Sequence, residues 1–397
     1  MKIQDITRRG FLKAGLGAAA AFGGLEFIAG CSTTETAKPS QIEAVPASVK
    51  AEPVVYPRLA DKKVQAPENG CLVGFRKVYA MLDSAEYKEL FALTKKAKDL
   101  DELLRTSEPL REKVVLQLIN GINNNIDGYH KDLDRKPYIY CLYDTPRIFQ
   151  DFPDILATPV ANKVVIPYIY LGTYVSASAP RKDLDLQLND IAKGKHDHRI
   201  KNSAKGASEF GKKHGGFFIT TMEESNADWY YWGQNSNFIP AWRRIWQIFE
   251  DQGANKYATW VWECAPPATA PNRTKHPDIT YPGDKYIDWI GLSAFSRKGQ
   301  PSAGLTLGAL SGQTYDQMRK NHPDKPIMQA EFAVSNDGAQ PRWLMDAYQT
   351  IKSIPGMKAA IYFDHVTAHE RDDHTLSKKS LESLKEIFKD PYWIMAK

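Results

Sequence analysis

The feature that most constrains this chain is a count of segments. Short runs rich in apolar, β-branched or aromatic residues recur at 71–76, 136–143, 163–171, 215–222, 257–263, 287–294, 326–333 and 359–365. Between them, 85–98, 108–124, 197–213, 240–252, 341–353 and 377–389 carry spaced apolar residues and good helix formers. Strand and helix in alternation predict a parallel sheet with right-handed crossovers, and eight such strands predict an α/β fold closed as a (β/α)8 TIM barrel. The rival is an open nucleotide-binding sheet, but neither a GxGxxG nor a GxxxxGKS/T loop follows any strand. No cofactor is therefore expected. The long connection between the first two strands should hold extra helices and no separate domain.

Ahead of this body lies an address. Residues 1–13 contain ITRRGFLK, and residues 14–30 are small and apolar, too short and glycine-rich for a comfortable transmembrane helix. Together they resemble a twin-arginine export signal. The run closes with Ile28-Ala29-Gly30-Cys31, which resembles the lipobox of bacterial lipoproteins; the resemblance implies acylation of Cys31 at a mature N-terminus. An uncleaved anchor and cleavage without lipid are the alternatives. Each places the body outside the cytoplasm, on a membrane of the cell envelope or in the periplasm.

Residues 32–67 shift to Thr, Ala, Pro, Glu, Lys and Ser without periodicity and read as a flexible tether, leaving 68–397 as one catalytic domain. With Cys31 set aside, Cys71, Cys141 and Cys264 form an odd set in or beside apolar strands, so buried thiols are expected rather than disulfides. The formal charge of +5 includes four positive and two negative side chains of the leader, Lys2, Arg8, Arg9, Lys13, Asp5 and Glu26. A body of about +3 has no electrostatic footprint for nucleic acid, and a monomer is expected.

Chemistry concentrates in GGFFITTMEESNADWYYWG, residues 215–233. An apolar strand runs straight into Glu223, Glu224, Asn226 and a cluster of aromatics. A strand end in a parallel sheet holds a carboxyl rigidly, where partial desolvation can keep it protonated near neutral pH. Aromatic faces beside it suit sugar rings. Cleaving a glycosidic bond commonly needs a second carboxylate across the scissile bond, and KPIMQAEFAV supplies it as Glu331 at the end of another strand. Both glutamates fall at the C-terminal rim of the expected barrel, where a separation of about 5 Å is the spacing of a retaining enzyme.

These residues resemble glycoside hydrolase family 26, retaining (β/α)8 hydrolases best known for β-mannanases. The family's HEMN pattern with its aromatic cluster is matched by Glu223-Glu224-Ser225-Asn226, then Trp229, Tyr230, Trp232 and Gly233. Upstream, Gly194 and Asp197 open a helix similar to one in the family; downstream, TYPGDKYIDWIGLSAF and KPIMQAEFAV resemble its sixth and seventh strands. The resemblance implies Glu224 as acid/base and Glu331 as nucleophile. It also implies a substrate-binding set of Asn226, Trp229, Trp232, Trp262 and Phe295, with Trp260 as a lesser candidate beside Trp262. The chain departs from the pattern where Glu223 stands for His, Thr220 for Arg and Phe295 for Tyr.

His365, His369 and His374 crowd the loop after the eighth strand with Asp364, Glu370, Asp372 and Asp373. They meet no strong template and read as a polar loop, so no metal is expected. His196 and His198 flank Asp197, read as a helix cap. The function expected is an exported, lipid-anchored hydrolase of β-linked polysaccharide, mannan first, partnered by its glycan and, through lipid, a membrane. The alternatives are a non-catalytic glycan-binding barrel and a lipoprotein of envelope or exopolysaccharide assembly.

Overall fold

The computed structural model describes residues 62–77, 108–143, 152–171, 188–230, 232–365 and 373–396. Its strands are β1 (Cys71–Arg76), β2 (Ile139–Tyr143), β3 (Ile166–Leu171), β4 (Phe217–Thr221), β5 (Ala258–Cys264), β6 (Trp289–Ser296), β7 (Ile327–Val334), β8 (Met357–Phe363) and β9 (Trp393–Ile394). All eight expected strands are present. Strands β2 to β8 and then β1 are hydrogen-bonded in that order, and β1 also pairs with β2, closing a parallel eight-stranded barrel. The ninth strand pairs with the first residues of β1, and the antiparallel bridge of Lys136 with Ala396 ties the C-terminal segment to the same end of the barrel.

The helices are α1 (Glu108–Leu133), α2 (Asp154–Asn162), α3 (Asp197–His214), α4 (Phe238–Asp251), α5 (Leu307–Asn321), α6 (Gln340–Ser353) and α7 (Lys378–Ile387). Two of them, α2 and α5, were not legible as helical patterns. The α2 helix is short and contains Pro159, while α5 is rich in polar residues with two glycines. Between β5 and β6 only short 3-10 turns stand where a helix would alternate. The expected helix at 85–98 and the leader with Cys31 lie outside the described residues. No described helix is long and apolar enough to cross a membrane.

Alternation divides the side chains of each strand between two cores. Leu72, Ile139, Ile166, Tyr168, Phe218, Val261, Trp289, Met328 and Ala359 fill the barrel, while a larger set packs the strands against the helices. Within the barrel the Phe218 ring meets Tyr168 and Trp289 edge-on, at 5.7 and 5.2 Å between centroids, forming a solid floor. Val64 and Ala66 pack on this interior core, Val64 N–H donates to Thr259 Oγ1 at 2.7 Å, and Lys63 pairs with Asp288 at 2.8 Å. Body contacts thus begin inside the stretch expected to be tether. Cys71, Cys141 and Cys264 are free, buried thiols.

Asp197 does not cap α3. It accepts from Arg244 Nε at 3.0 Å, joining α3 to α4. An arginine held in a bidentate pair there uses the carboxylate more fully than a single backbone N–H would.

Candidate active site

At the C-terminal rim the same alternation aims a ring of charged groups inward. On β1, Leu72 faces the barrel, and two pleats on Arg76 does too. On β5, Val261 points in and so does Glu263, only 1% exposed. Glu263 Oε1 accepts from Tyr168 Oη, and its Oε2 accepts from Ser293 Oγ at 3.3 Å. On β7, Glu331 is ion-paired with Arg76, whose guanidinium also lies 4.4 Å from the Phe363 ring centroid and 5.5 Å from that of Tyr170. Such ring faces stabilise a cation that burial has stripped of water.

Glu224 arrives by a different route. β4 ends at Thr221, and both Met222 (φ 53°) and Glu224 (φ 49°) are left-handed. This conformation costs a non-glycine residue about 1–2 kcal/mol, so the surrounding loop must hold it. Ala227 N–H donates to Glu224 O at 2.9 Å and Gln234 N–H to Ser225 O at 2.8 Å, closing the loop. Gly233 permits this closure, since a Cβ there would lie 1.7 Å from Ala227 O. Trp229 Nε1 then donates to Glu224 Oε2 at 2.7 Å.

Electrostatics separate the carboxyls. Burial, then the negative charge of Glu331, pushes Glu224 up to about 8, while Arg297 and the Trp229 hydrogen bond pull it back. Burial also lifts Glu223 to about 7 and raises Glu263, with Glu331 contributing to both. Glu224 is thus a protonated acid near neutral pH beside a carboxylate that holds the site's inner guanidinium. That is the division of labour a glycosidase needs.

Several expected sugar contacts are placed otherwise. Trp262 and Trp260 share a face of β5, and both point outward and are fully buried. Trp262 Nε1 donates to Ser225 Oγ at 3.2 Å and Trp260 Nε1 to Asn255 Oδ1 at 2.7 Å. Neither offers a ring face to a ligand; the inward residue of that segment is Glu263. Asn226 is also spent internally: Nδ2 donates to Ala265 O and Lys275 O, both at 2.8 Å, and Oδ1 accepts from Ala265 N–H at 2.8 Å. Both its donors are used, so it joins the β4 and β5 loops rather than gripping a hydroxyl.

Trp232 donates to Glu223 O at 2.7 Å and is covered by Tyr230, stacked at 4.4 Å. Among the described residues of this loop, the half-buried rings are Trp229 and Tyr230. Phe295 reaches the rim but is only 3% exposed, with Phe363 edge-on at 5.3 Å and the Arg297 guanidinium 4.4 Å from its centroid. It is wall, not platform.

Asp364 is buried in a network, accepting from Tyr129 Oη at 2.6 Å and Leu376 N–H at 2.8 Å. His365 is pushed down to about 4 by burial and by Arg76, so it is neutral over the ordinary working range. His369, Glu370 and Asp372 lie outside the described residues. Among the described residues no His, Cys, Asp and Glu group is arranged to hold a metal.

A closed (β/α)8 barrel with buried glutamates following β4 and on β5 and β7 is a frame that barrel hydrolases use. Residues 198–397 match the family model of glycosyl hydrolase family 26, just over half of the chain, and the chain belongs to that family. Among solved structures it is similar to the catalytic domain of a family 26 endo-β-1,4-mannanase from Bacillus sp. JAMB-750, at 14% identity and TM-score 0.52, over 67% of this chain and 80% of that one. A modular endo-β-1,4-mannanase from Cellulomonas fimi is likewise 14% identical, with TM-score 0.51, over 69% of this chain and 67% of that one. Such identities establish a shared fold. Comparison with curated protein sequences gives no match.

Proposed function

We propose that this glycoside hydrolase cleaves a β-linked polysaccharide with retention, Glu331 acting as nucleophile and Glu224 as acid/base. The observation that carries this reading is the electrostatic contrast at the rim, where Glu331 sits on Arg76 and Glu224 is held protonated to about 8. Glu331 attacks the anomeric carbon, and Glu224 gives its proton to the departing glycosidic oxygen. Ester formation removes the charge of Glu331, which is the largest electrostatic contribution raising Glu224. Glu224, already deprotonated by that transfer and no longer raised by the charge of Glu331, stays ionised and takes a proton from the water that attacks the anomeric carbon, releasing the sugar and returning Glu331 as a carboxylate.

Mannan is the first substrate to test, supported by the family and by the two mannanases that share the fold. Reducing-end release should be measured across β-mannan, β-glucan, xylan and bacterial exopolysaccharides; binding without release on all of them would leave a non-catalytic barrel. We also propose export by the twin-arginine route and lipid on Cys31, with the body working as a single chain at the envelope surface. Mass spectrometry of the mature N-terminus should find an acylated Cys31. A chain still starting at Met1, or one without acyl groups, would refute that.

A further inference from the structure

At Ala330 β7 carries a residue more than either neighbour, whereas nearer its start the extra residue is on β8, where Ile327 pairs with Met357 and Met328 with Ala359. Towards β6, Leu292 pairs with Gln329 and Ser293 with Glu331, passing over Ala330. Towards β8, Ala360 pairs with Gln329 and Tyr362 with Phe332, so the strand advances three residues against two. The shift towards β6 and this second shift towards β8 bracket Ala330, which is a β-bulge.

Alternation gives the bulge its consequence. Met328 and Ala330 belong to the core inside the barrel. In an unbroken strand Glu331 would therefore face the helices, since successive side chains point to opposite sides. The extra residue resets the pleat, and Glu331 meets Arg76 inside, level with Ser293, whose hydroxyl reaches Glu263.

Gln329 fastens this irregularity. It is fully buried, and its Nε2 donates to Leu292 O at 2.8 Å and to Glu331 O at 3.1 Å, the carbonyls on either side of the misregister. The reverse orientation of the amide would set Oε1 against two carbonyl oxygens, so the chemistry of the partners fixes which end is which. Oε1 itself has no partner. A leucine would avoid burying that acceptor, so what the amide contributes lies at Nε2. Space for the bulge comes from Gly291 across the ladder, where a Cβ would fall 2.9 Å from Ala330 Cβ and 2.7 Å from Glu263 Cγ.

We propose that Gln329 is a positioning residue: by clamping the β7 bulge it turns Glu331 into the barrel mouth and aligns the attacking carboxylate. The inference rests on the reading of Glu331 as nucleophile. Gln329→Met keeps length and approximate volume while removing both donors. In its crystal structure the bulge should relax and the Glu331 carboxylate should leave Arg76, an outcome that needs no substrate to observe. On the substrate the wild type turns over, kcat should fall by roughly a hundred-fold, the scale of a misplacement near 1 Å, with KM little changed and the protein folded at the assay temperature.

Gln329→Glu retains a donor only while protonated, so its deficit in kcat should be smaller and should grow as pH rises. This variant carries the test should Gln329→Met not fold. Unchanged kcat in a folded variant, or a crystal structure with the bulge and the Arg76 pair intact, would overturn the inference. Glu331→Gln is measured alongside. If that variant turns over normally, the nucleophile assignment has failed; if it is inactive while Gln329→Met is active, the bulge clamp has failed.

Discussion

Glu331→Gln is expected to fold, to bind oligosaccharide and to lose at least about three orders of magnitude in turnover, the scale of deleting the nucleophile from other enzymes of covalent catalysis. Glutamine keeps the shape and can still accept from Arg76, but it cannot form the glycosyl-enzyme. The substitution also removes one partner of a buried ion pair, a change that can cost about 3–5 kcal/mol when nothing else answers the remaining charge. Here other groups can answer it. The charge of Glu331 raises Glu223, Glu224 and Glu263 alike. Its loss should let one of them ionise near Arg76, so the thermal penalty should be smaller at pH 8 than at pH 5. Measured turnover within ten-fold of wild type on any cleaved substrate would remove Glu331 from the mechanism.

The barrel was legible because its signal is repeated and local. Each strand is a short apolar run, and the eight runs survive the absence of a helix between β5 and β6 and the unremarkable composition of α2 and α5. The rim was legible only where an acid stood beside aromatics. Arg76 closes β1 and Glu263 stands one residue short of the end of β5, so a charged residue at a strand's C-terminal end was the signal that could have found them. The tryptophans misled for a converse reason. Trp260 and Trp262 lie two apart and share one face, and counting inward from Glu263 assigns them to the helix side. Counting fails at β7, where the bulge reverses the face of Glu331. The left-handed turns at Met222 and Glu224 likewise leave no trace in residue type.

Removing the acid should separate the two chemical steps and also change how the fold responds to pH. Glu224→Ala cannot protonate a leaving sugar, so polysaccharide cleavage should collapse. An activated aryl glycoside leaves without protonation, so glycosylation should persist, and azide should accelerate release by replacing the water that needs a base. The wild type should lose activity on polysaccharide as pH rises through about 8, where Glu224 ionises. That alkaline limb should be absent for the variant on the aryl substrate.

Stability follows the same group with a definite sign. A carboxyl raised from 4.5 to about 8 in the fold contributes stability that is fully present below its unfolded value and is lost as pH climbs through the folded one. Every tenfold weakening of the acid corresponds to about 1.4 kcal/mol, so the total is on the order of a few kcal/mol, part of it set by the charge of Glu331. Glu224→Gln should therefore flatten the decline in Tm between about pH 4.5 and 8 and leave the protein more stable than wild type above pH 8. Glu223→Gln should act in the same direction with a smaller amplitude, because Glu223 is lifted only to about 7. A Glu224→Gln protein whose Tm falls with pH as steeply as the wild type's would mean that Glu224 is ionised in the folded enzyme at neutral pH. An acid already ionised has no proton to give the leaving sugar, and the general-acid role would then have to pass to Glu223.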